Sequence, residues 1–285
     1  MLILRAATAS VGIPLVLLIT LTGGPAFWMV AAAVAGIAAY ECVRLVAPES
    51  GRRWRIATAL LAAVIVPSSV LGPGAQVAVL ALATSISLCI ALVLHPFRPA
   101  GSARDWAAGL ASAVYGGLPL SLLVGLRQIG GMPLPVLGLL LDQGTRWTLL
   151  VVTTVWGVDA AGYLIGRLLG RRHLWPAVSP GKTWEGTIAG LIAGTSICLA
   201  WATGLGFPLV GGAAFGLVTS GAAVIGDLTE SALKRAAGAK DSGVIMPGHG
   251  GMLDRVDSLL FAALVVSLGR ALGSGAIPSV LSGWM

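Results

Sequence analysis

The chain reads as a succession of long apolar runs separated by short polar turns. A bilayer-crossing helix needs roughly 20 apolar residues. About nine runs of that order can be laid out, at 4–22, 27–47, 54–72, 76–95, 106–125, 147–169, 184–204, 209–229 and 257–273. The expected fold is therefore all-α, a polytopic integral membrane helical bundle of about nine transmembrane helices. Residues 1–145 read as amino-terminal scaffold helices, and 146–285 as the helices that carry most of the polar chemistry, the two forming one integrated membrane domain. No soluble domain, low-complexity tail or internal repeat stands out.

Composition agrees with the pattern. The 285 residues are 56% hydrophobic and 10% charged, with a mean hydropathy of +0.92, whereas an average soluble domain is about a quarter charged. The formal charge of +7 does not describe a nucleic-acid binder, because the basic residues sit in short turns between apolar runs rather than on one solvated face. Cys42, Cys89 and Cys198 lie inside apolar stretches, and their spacing matches neither a disulfide framework nor a zinc site. A lone Arg5 precedes the first run, and no small-x-small cleavage site follows it, so that run is expected to be a retained span rather than a cleaved signal peptide.

Loop charge orients the spans, since Lys and Arg favour the cytoplasmic side. Arg44, Arg52, Arg53 and Arg55 follow the second span, and Arg98 and Arg104 the fourth. Arg167, Arg171, Arg172 and Lys182 join the sixth to the seventh, and Lys234, Arg235, Lys240 and Arg255 join the eighth to the ninth. The turns at Gly23–Pro25, Gly72–Gly74 and Gly204–Pro208 carry no Lys or Arg, and Arg127 and Arg146 are the exception to the alternation. This places the amino terminus and the large basic loops in the cytoplasm, for a multi-pass protein of the cell (inner or plasma) membrane.

Charged side chains are costly within a bilayer and mark functional sites there. Glu41, near the end of the second span, has two readings: it faces a cavity or partner, or it pairs with Arg44 one turn on. In "GDLTESALKR", Asp227, Glu230, Ser231 and Lys234 fall at i, i+3, i+4 and i+7 and share one helix face, either as a site or as a solvated helix end with internal salt bridges.

In "GHGGMLDRVDS", Asp254 and Asp257 lie one turn apart, behind Gly248, Gly250 and Gly251. Such a glycine turn at a helix start can offer backbone N–H groups to phosphate. Asp227 and Asp254, on the helices either side of this hairpin, are candidate ligands for Mg²⁺, which favours one or two carboxylates together with phosphate oxygens. His249 alone is too little for zinc; it reads as a phosphate or hydrogen-bond donor or as a structural turn residue.

The stretch "SPGKTWEG" contains Gly-Lys-Thr, but Pro176 stands where a Walker A motif needs glycine, and the segment precedes a membrane helix rather than following a strand. A turn at Ser179 carrying Lys182 at a helix start can still hold an anion, with Glu185 capping the helix or facing the site. In "DAAGYLIGRLLG", Asp159 is a candidate by the cost argument, and Gly166 and Gly170 allow close helix packing. Cations for phosphate, carboxylates for a metal and glycine turns together describe phosphoryl or nucleotidyl transfer at a membrane face.

The stretch "SALKRAAGAKDSGVIMPGHGGMLDRVDS" resembles the signature of the phosphatidate cytidylyltransferases, or CDP-diacylglycerol synthases. Ser231, Lys234, Arg235, Lys240, Asp241, Gly243, Pro247, His249, Gly250, Gly251, Asp254, Arg255 and Asp257 fit it, while Met246 stands where another apolar residue is expected. The resemblance is close over the last 130 or so residues and covers the first half only as a run of spans. It implies transfer of CMP from CTP to phosphatidic acid with Mg²⁺, a second cation being left open.

In that reading Asp227 and Asp254 are the expected metal ligands, the second resting on the signature. Lys234, Arg235, Lys240, His249 and Arg255 contact phosphates, with Asp241 and Asp257 close by; Ser179, Lys182 and Glu185 form another wall. CTP, phosphatidic acid and the bilayer are the implied partners, with no nucleic acid. Homodimerisation is suggested by the family and by small-residue faces such as Gly190–Gly194. Two other readings are a CTP-dependent polyprenol kinase, which should lack the full Asp-Arg-Val-Asp ending, and a transporter of metal ions or organic anions, which should show inverted repeats and midplane charges.

Overall fold

The computed structural model describes residues 2–94, 99–245 and 250–273. Arg98, Met246, Pro247, Gly248 and His249 lie outside them. The order of elements is α1 (Leu2–Thr22), α2 (Gly24–Val46), α3 (Arg52–Ile65), α4 (Pro73–Leu94), α5 (Pro99–Arg127), β1 (Leu134–Val136), β2 (Leu139–Leu141), α6 (Gln143–Leu169), β3 (His173–Trp175), β4 (Ser179–Thr183), α7 (Trp184–Gly204), α8 (Leu209–Ala236) and α9 (Leu253–Gly273). Eight helical segments among the described residues are long and apolar enough to cross a membrane, and Ser10–Thr22 adds a shorter apolar helix. The all-helical membrane architecture expected from the apolar runs is what the chain adopts.

Several boundaries move. The third run is not one α-helix: Pro67 follows α3, and Val66–Leu71 continues as a 3-10 turn, because proline removes an N–H and clashes with the preceding turn. Helix α8 runs seven residues beyond its apolar stretch, to Ala236, and α9 begins four residues early, at Leu253. The segment Ser179–Thr183, expected as a turn at a helix start, is strand β4, antiparallel to β3. A second hairpin, β1–β2, turns on Leu137 and Gly138, both at positive φ, as a two-residue hairpin turn requires.

The chain divides into two units, Met1–Thr145 with Thr229–Asp257, and Arg146–Leu228 with Ser258–Met285. In the first, α2, α3 and α5 pack through small residues. A Cβ at Gly117 would stand 2.9 Å from the Ala62 carbonyl oxygen, and one at Gly116 would stand 3.1 Å from that of Ala35. Van der Waals packing of this kind replaces the hydrophobic drive that lipid cannot supply. Trp54 fills the space over Gly109 and donates its indole N–H to the Asp105 carbonyl at 2.8 Å. Arg127, 8% exposed, donates to the Thr20 and Leu21 carbonyls at 2.7 and 3.2 Å and thereby closes the open end of α1. Asp142 accepts from the Thr145 N–H at 2.6 Å and caps α6.

In the second unit, Gly190 and Gly194 on α7 pack against Val158 and Ser220. The small-residue face that the sequence offered to a second copy is thus used inside the chain, and it no longer argues for a dimer. Trp147, Phe207 and Phe215 form an aromatic cluster. Arg146, 7% exposed, donates to the Gly204 carbonyl at 2.9 Å. Arg127 and Arg146, the exceptions to the loop-charge alternation, are both consumed at helix ends.

Candidate active site

The candidate residues fall into two clusters, one in each unit. In the first unit the cluster is built from the end of α8, the loop after it, the first turn of α9 and one residue of α2. The i, i+4 spacing on α8 brings Lys234 into an ion pair with Glu230, and Lys234 Nζ also lies 2.6 Å from Asp254 Oδ1. Asp254 Oδ2 accepts three hydrogen bonds, from the Ser242 N–H at 2.9 Å, the Ser242 hydroxyl at 2.8 Å and the Gly251 N–H at 2.8 Å. Glu230 is 0% and Glu41 2% exposed, so the lysine, three carboxylates and a serine share a mostly dry site.

Glu41 does not take the partner nearest in sequence. Its Oε2 accepts from the Leu253 N–H at 2.8 Å and lies 3.1 Å from the Ser242 hydroxyl, while Arg44 donates to the Ser242 carbonyl at 2.7 Å. The α9 amino terminus therefore receives two carboxylates, Asp254 and Glu41, where the helix dipole favours negative charge. The glycines are required by this crowding. A Cβ at Gly243 or Gly251 would run into the Glu41 carboxylate, and one at Gly250, where φ is +78°, would stand 2.8 Å from Asp254 Oδ2. The expectation that these turns present open N–H groups to phosphate needs correction at Gly251, whose N–H is already taken by Asp254.

In the second unit, Lys182 on β4 pairs with Asp227 on α8 at 2.7 Å, with side chains 25% and 29% exposed. The strand positions Lys182, and Thr183 ends it as the helix cap, its hydroxyl accepting from the Gly186 N–H at 3.2 Å. Gly162, Gly166 and Gly186 let α6 and α7 approach here; a Cβ at Gly186 would stand 2.6 Å from the Gly162 carbonyl oxygen. Glu185, in the first turn of α7, accepts from the Arg171 and Arg172 backbone N–H groups at 3.1 and 3.4 Å. Beside it is an open cleft of about 540 Å³, lined by Arg171, Arg172, Trp184, Glu185 and Ile188.

The remaining candidates are spread around these clusters. Arg235, Lys240, Asp241 and Arg255 are exposed, Ser231 is buried, Asp257 is half-buried one turn beyond Asp254, and Ser179 lies on β4 opposite Trp175. Asp159 is exposed on α6. Glu230 appeared in the sequence only as part of a polar stripe, and Glu41 only as a costly intramembrane acid. The cost of burial was the one signal for Glu41; nothing local pointed to Ser242.

The donor chemistry fits a hard cation unevenly. Asp227 is a partly exposed carboxylate paired with Lys182, a flexible side chain that can give way to a cation. Asp254 is saturated by protein donors and would have to exchange Lys234. No group of three or more His, Cys, Asp or Glu residues that could hold a metal ion gathers among the described residues.

Fold and site together define a class: a polytopic helical membrane protein whose lysines and carboxylates pair at the ends of apolar helices. The particular family follows from comparison. The model of the cytidylyltransferase family matches residues 3–271, and the chain belongs to that family. It is 34% identical over 294 residues to the phosphatidate cytidylyltransferase of Brucella suis, covering 97% of this chain and 96% of that one. It is 40% identical over 200 residues to phosphatidate cytidylyltransferase 4, chloroplastic, of Arabidopsis thaliana, covering 63% of this chain and 49% of the relative. A 126-residue match to the phosphatidate cytidylyltransferase of Haemophilus influenzae reaches 44% identity, over 42% of this chain and 44% of that one.

Proposed function

We propose that the chain is a phosphatidate cytidylyltransferase that makes CDP-diacylglycerol. A phosphate oxygen of phosphatidic acid attacks the α-phosphorus of CTP, one P–O bond forms, the bond from the α-phosphorus to the bridging oxygen breaks, and pyrophosphate leaves. The observation that carries this reading is the 34% identity to the Brucella suis relative over 97% of this chain, joined to clusters of lysines and carboxyl groups on apolar helices. Little acid–base chemistry is needed, so electrostatic positioning dominates.

Lys182, Arg235, Lys240 and Arg255 are partly or fully exposed cations suited to phosphate oxygens. His249, outside the described residues, keeps the phosphate-contact role its place in the signature implies. Lys234 is held by Glu230 and Asp254, so its part is to fix Asp254 as well as to supply charge. Arg171 and Arg172 beside Trp184 and Ile188 suit an anionic headgroup whose acyl chains stay in lipid. Asp227, and Asp254 on release of Lys234, are the carboxylates available to Mg²⁺; a bound ion would neutralise charge on the phosphate oxygens. The basic loops argue for a cytoplasmic site and amino terminus in the cell membrane.

The test is conversion of phosphatidic acid by the purified protein in detergent with α-labelled CTP, with and without a chelator. Label should enter the lipid and be lost on chelation. Transfer of γ-label to a polyprenol, with no labelled CDP-diacylglycerol, would replace this reading with the kinase. Undiminished turnover under chelation would remove Mg²⁺ from it.

A further inference from the structure

Glu41 lies in the part of the chain that the sequence marks as scaffold, yet its partners are in the carboxy-terminal signature, 201 and 212 residues away. We propose that Glu41 is a positioning residue for cytidylyl transfer, holding Ser242 and the first turn of α9 so that Asp254 and Lys234 keep their register. The proposal rests on the activity assigned above.

Helix α2 grips Ser242 at two points: Glu41 faces its hydroxyl at 3.1 Å, and Arg44 binds its carbonyl at 2.7 Å. The same hydroxyl lies 2.8 Å from Asp254 Oδ2. A serine has one hydroxyl proton, so it serves the two carboxylates in turn and its place is set by both. Glu41 also takes the Leu253 N–H, one residue before Asp254. Gly243 and Gly251, each without a side chain, leave the space the Glu41 carboxylate occupies. An apolar residue of similar volume would avoid the desolvation cost of a buried carboxylate; what Glu41 supplies in return is position. Its Oε2 contacts are to protein groups, so it acts through Ser242 and Asp254 rather than on substrate.

The experiment measures kcat and the KM for CTP of Glu41→Leu, Glu41→Gln, Ser242→Ala and the Glu41→Gln/Ser242→Ala double variant, alongside thermal unfolding and backbone hydrogen exchange. A misplacement of about 1 Å costs on the order of 100-fold in rate, so Glu41→Leu should lose about that in kcat with KM for CTP little changed. Glu41→Gln, which still accepts from the Leu253 N–H, should recover most of it. Its residual loss should be absent in the Ser242→Ala background, because the link is already cut. A packing variant whose added methyl meets α3 rather than the signature, Gly117→Ala, where a Cβ would stand 2.9 Å from the Ala62 carbonyl oxygen, should keep its kcat even where it lowers thermal stability.

Near-wild-type kcat in Glu41→Leu, an equal loss in Gly117→Ala, or multiplicative losses in the double variant would overturn the proposal. If Glu41→Leu does not fold, the Gln and Ala variants carry the test alone. Exchange at 251–254 reads the grip without turnover: faster exchange in Glu41→Leu with little change in Glu41→Gln supports it, and unchanged exchange in Glu41→Leu sinks it, even if the wild-type chain makes no labelled lipid and the activity reading fails.

Discussion

Replacing Lys234 with Met removes the ammonium and keeps the side-chain length. The lysine side chain is 13% exposed, and its partners Glu230 and Asp254 are 0% and 6% exposed, so the change leaves two carboxylates with little water. Removing one partner of a buried ion pair costs about 3–5 kcal/mol. Domains of about 150–250 residues lose roughly 2–4 °C per kcal/mol, and at the low end of that scale the loss here is roughly 6–10 °C.

Thermal unfolding in detergent, followed by intrinsic fluorescence, measures it. The Lys234→Met/Asp254→Asn variant, which removes the charge stranded on Asp254, should recover about half of the loss by the same argument. Cytidylyl transfer should stay absent in both, because neither keeps the Lys234–Asp254 pair. A drop below about 2 °C for Lys234→Met, less than 1 kcal/mol on that scale, would refute the reasoning, as would a double variant no more stable than the single one.

Other outcomes are expected from the second cluster and from the α6 cap. Asp227→Ala should lower turnover by at least about 100-fold, in the range for loss of a preorganised electrostatic group. Its unfolding temperature should hold, since a part-exposed pair such as Lys182–Asp227 contributes about 0–1 kcal/mol; normal turnover would withdraw its metal role. Burial pushes the Asp142 carboxyl up, but the Thr145 hydrogen bonds and the Arg127 guanidinium outweigh it and hold it below the ordinary range. Its stabilising effect is therefore present above the unfolded carboxylate value, roughly pH 4, and is lost as pH falls through the folded one. The unfolding-temperature gap between wild type and Asp142→Asn should narrow from pH 6 to pH 3, and a constant gap would contradict this.

Much of the site was legible because the groups that build it are short-range. Lys234 and Glu230 are one turn apart on a helix, and periodicity alone puts them on one face. Asp254 and the glycines before it occur within a single signature. The hairpins were not legible, because strands of three to five residues, two of them containing proline, carry no periodicity above that of a turn. The extension of α8 past its apolar stretch was missed for a related reason: hydropathy stops at the membrane face, whereas the backbone hydrogen bonds of the helix continue into polar sequence.

What the sequence determined by itself is the class of structure and the reaction. Long apolar runs must become helices, because in lipid each backbone polar group has to be satisfied within its own segment, and the signature names the family. Only the tertiary structure decided the partners. Glu41 had Arg44 three residues away, yet its carboxylate lies against Ser242 and Leu253 instead. Gly190 and Gly194 resembled a face for a second copy and are filled by Val158 and Ser220. Both outcomes depend on which helices pack side by side, a choice made by the fit of small residues across whole helix faces, and no local run of sequence encodes it.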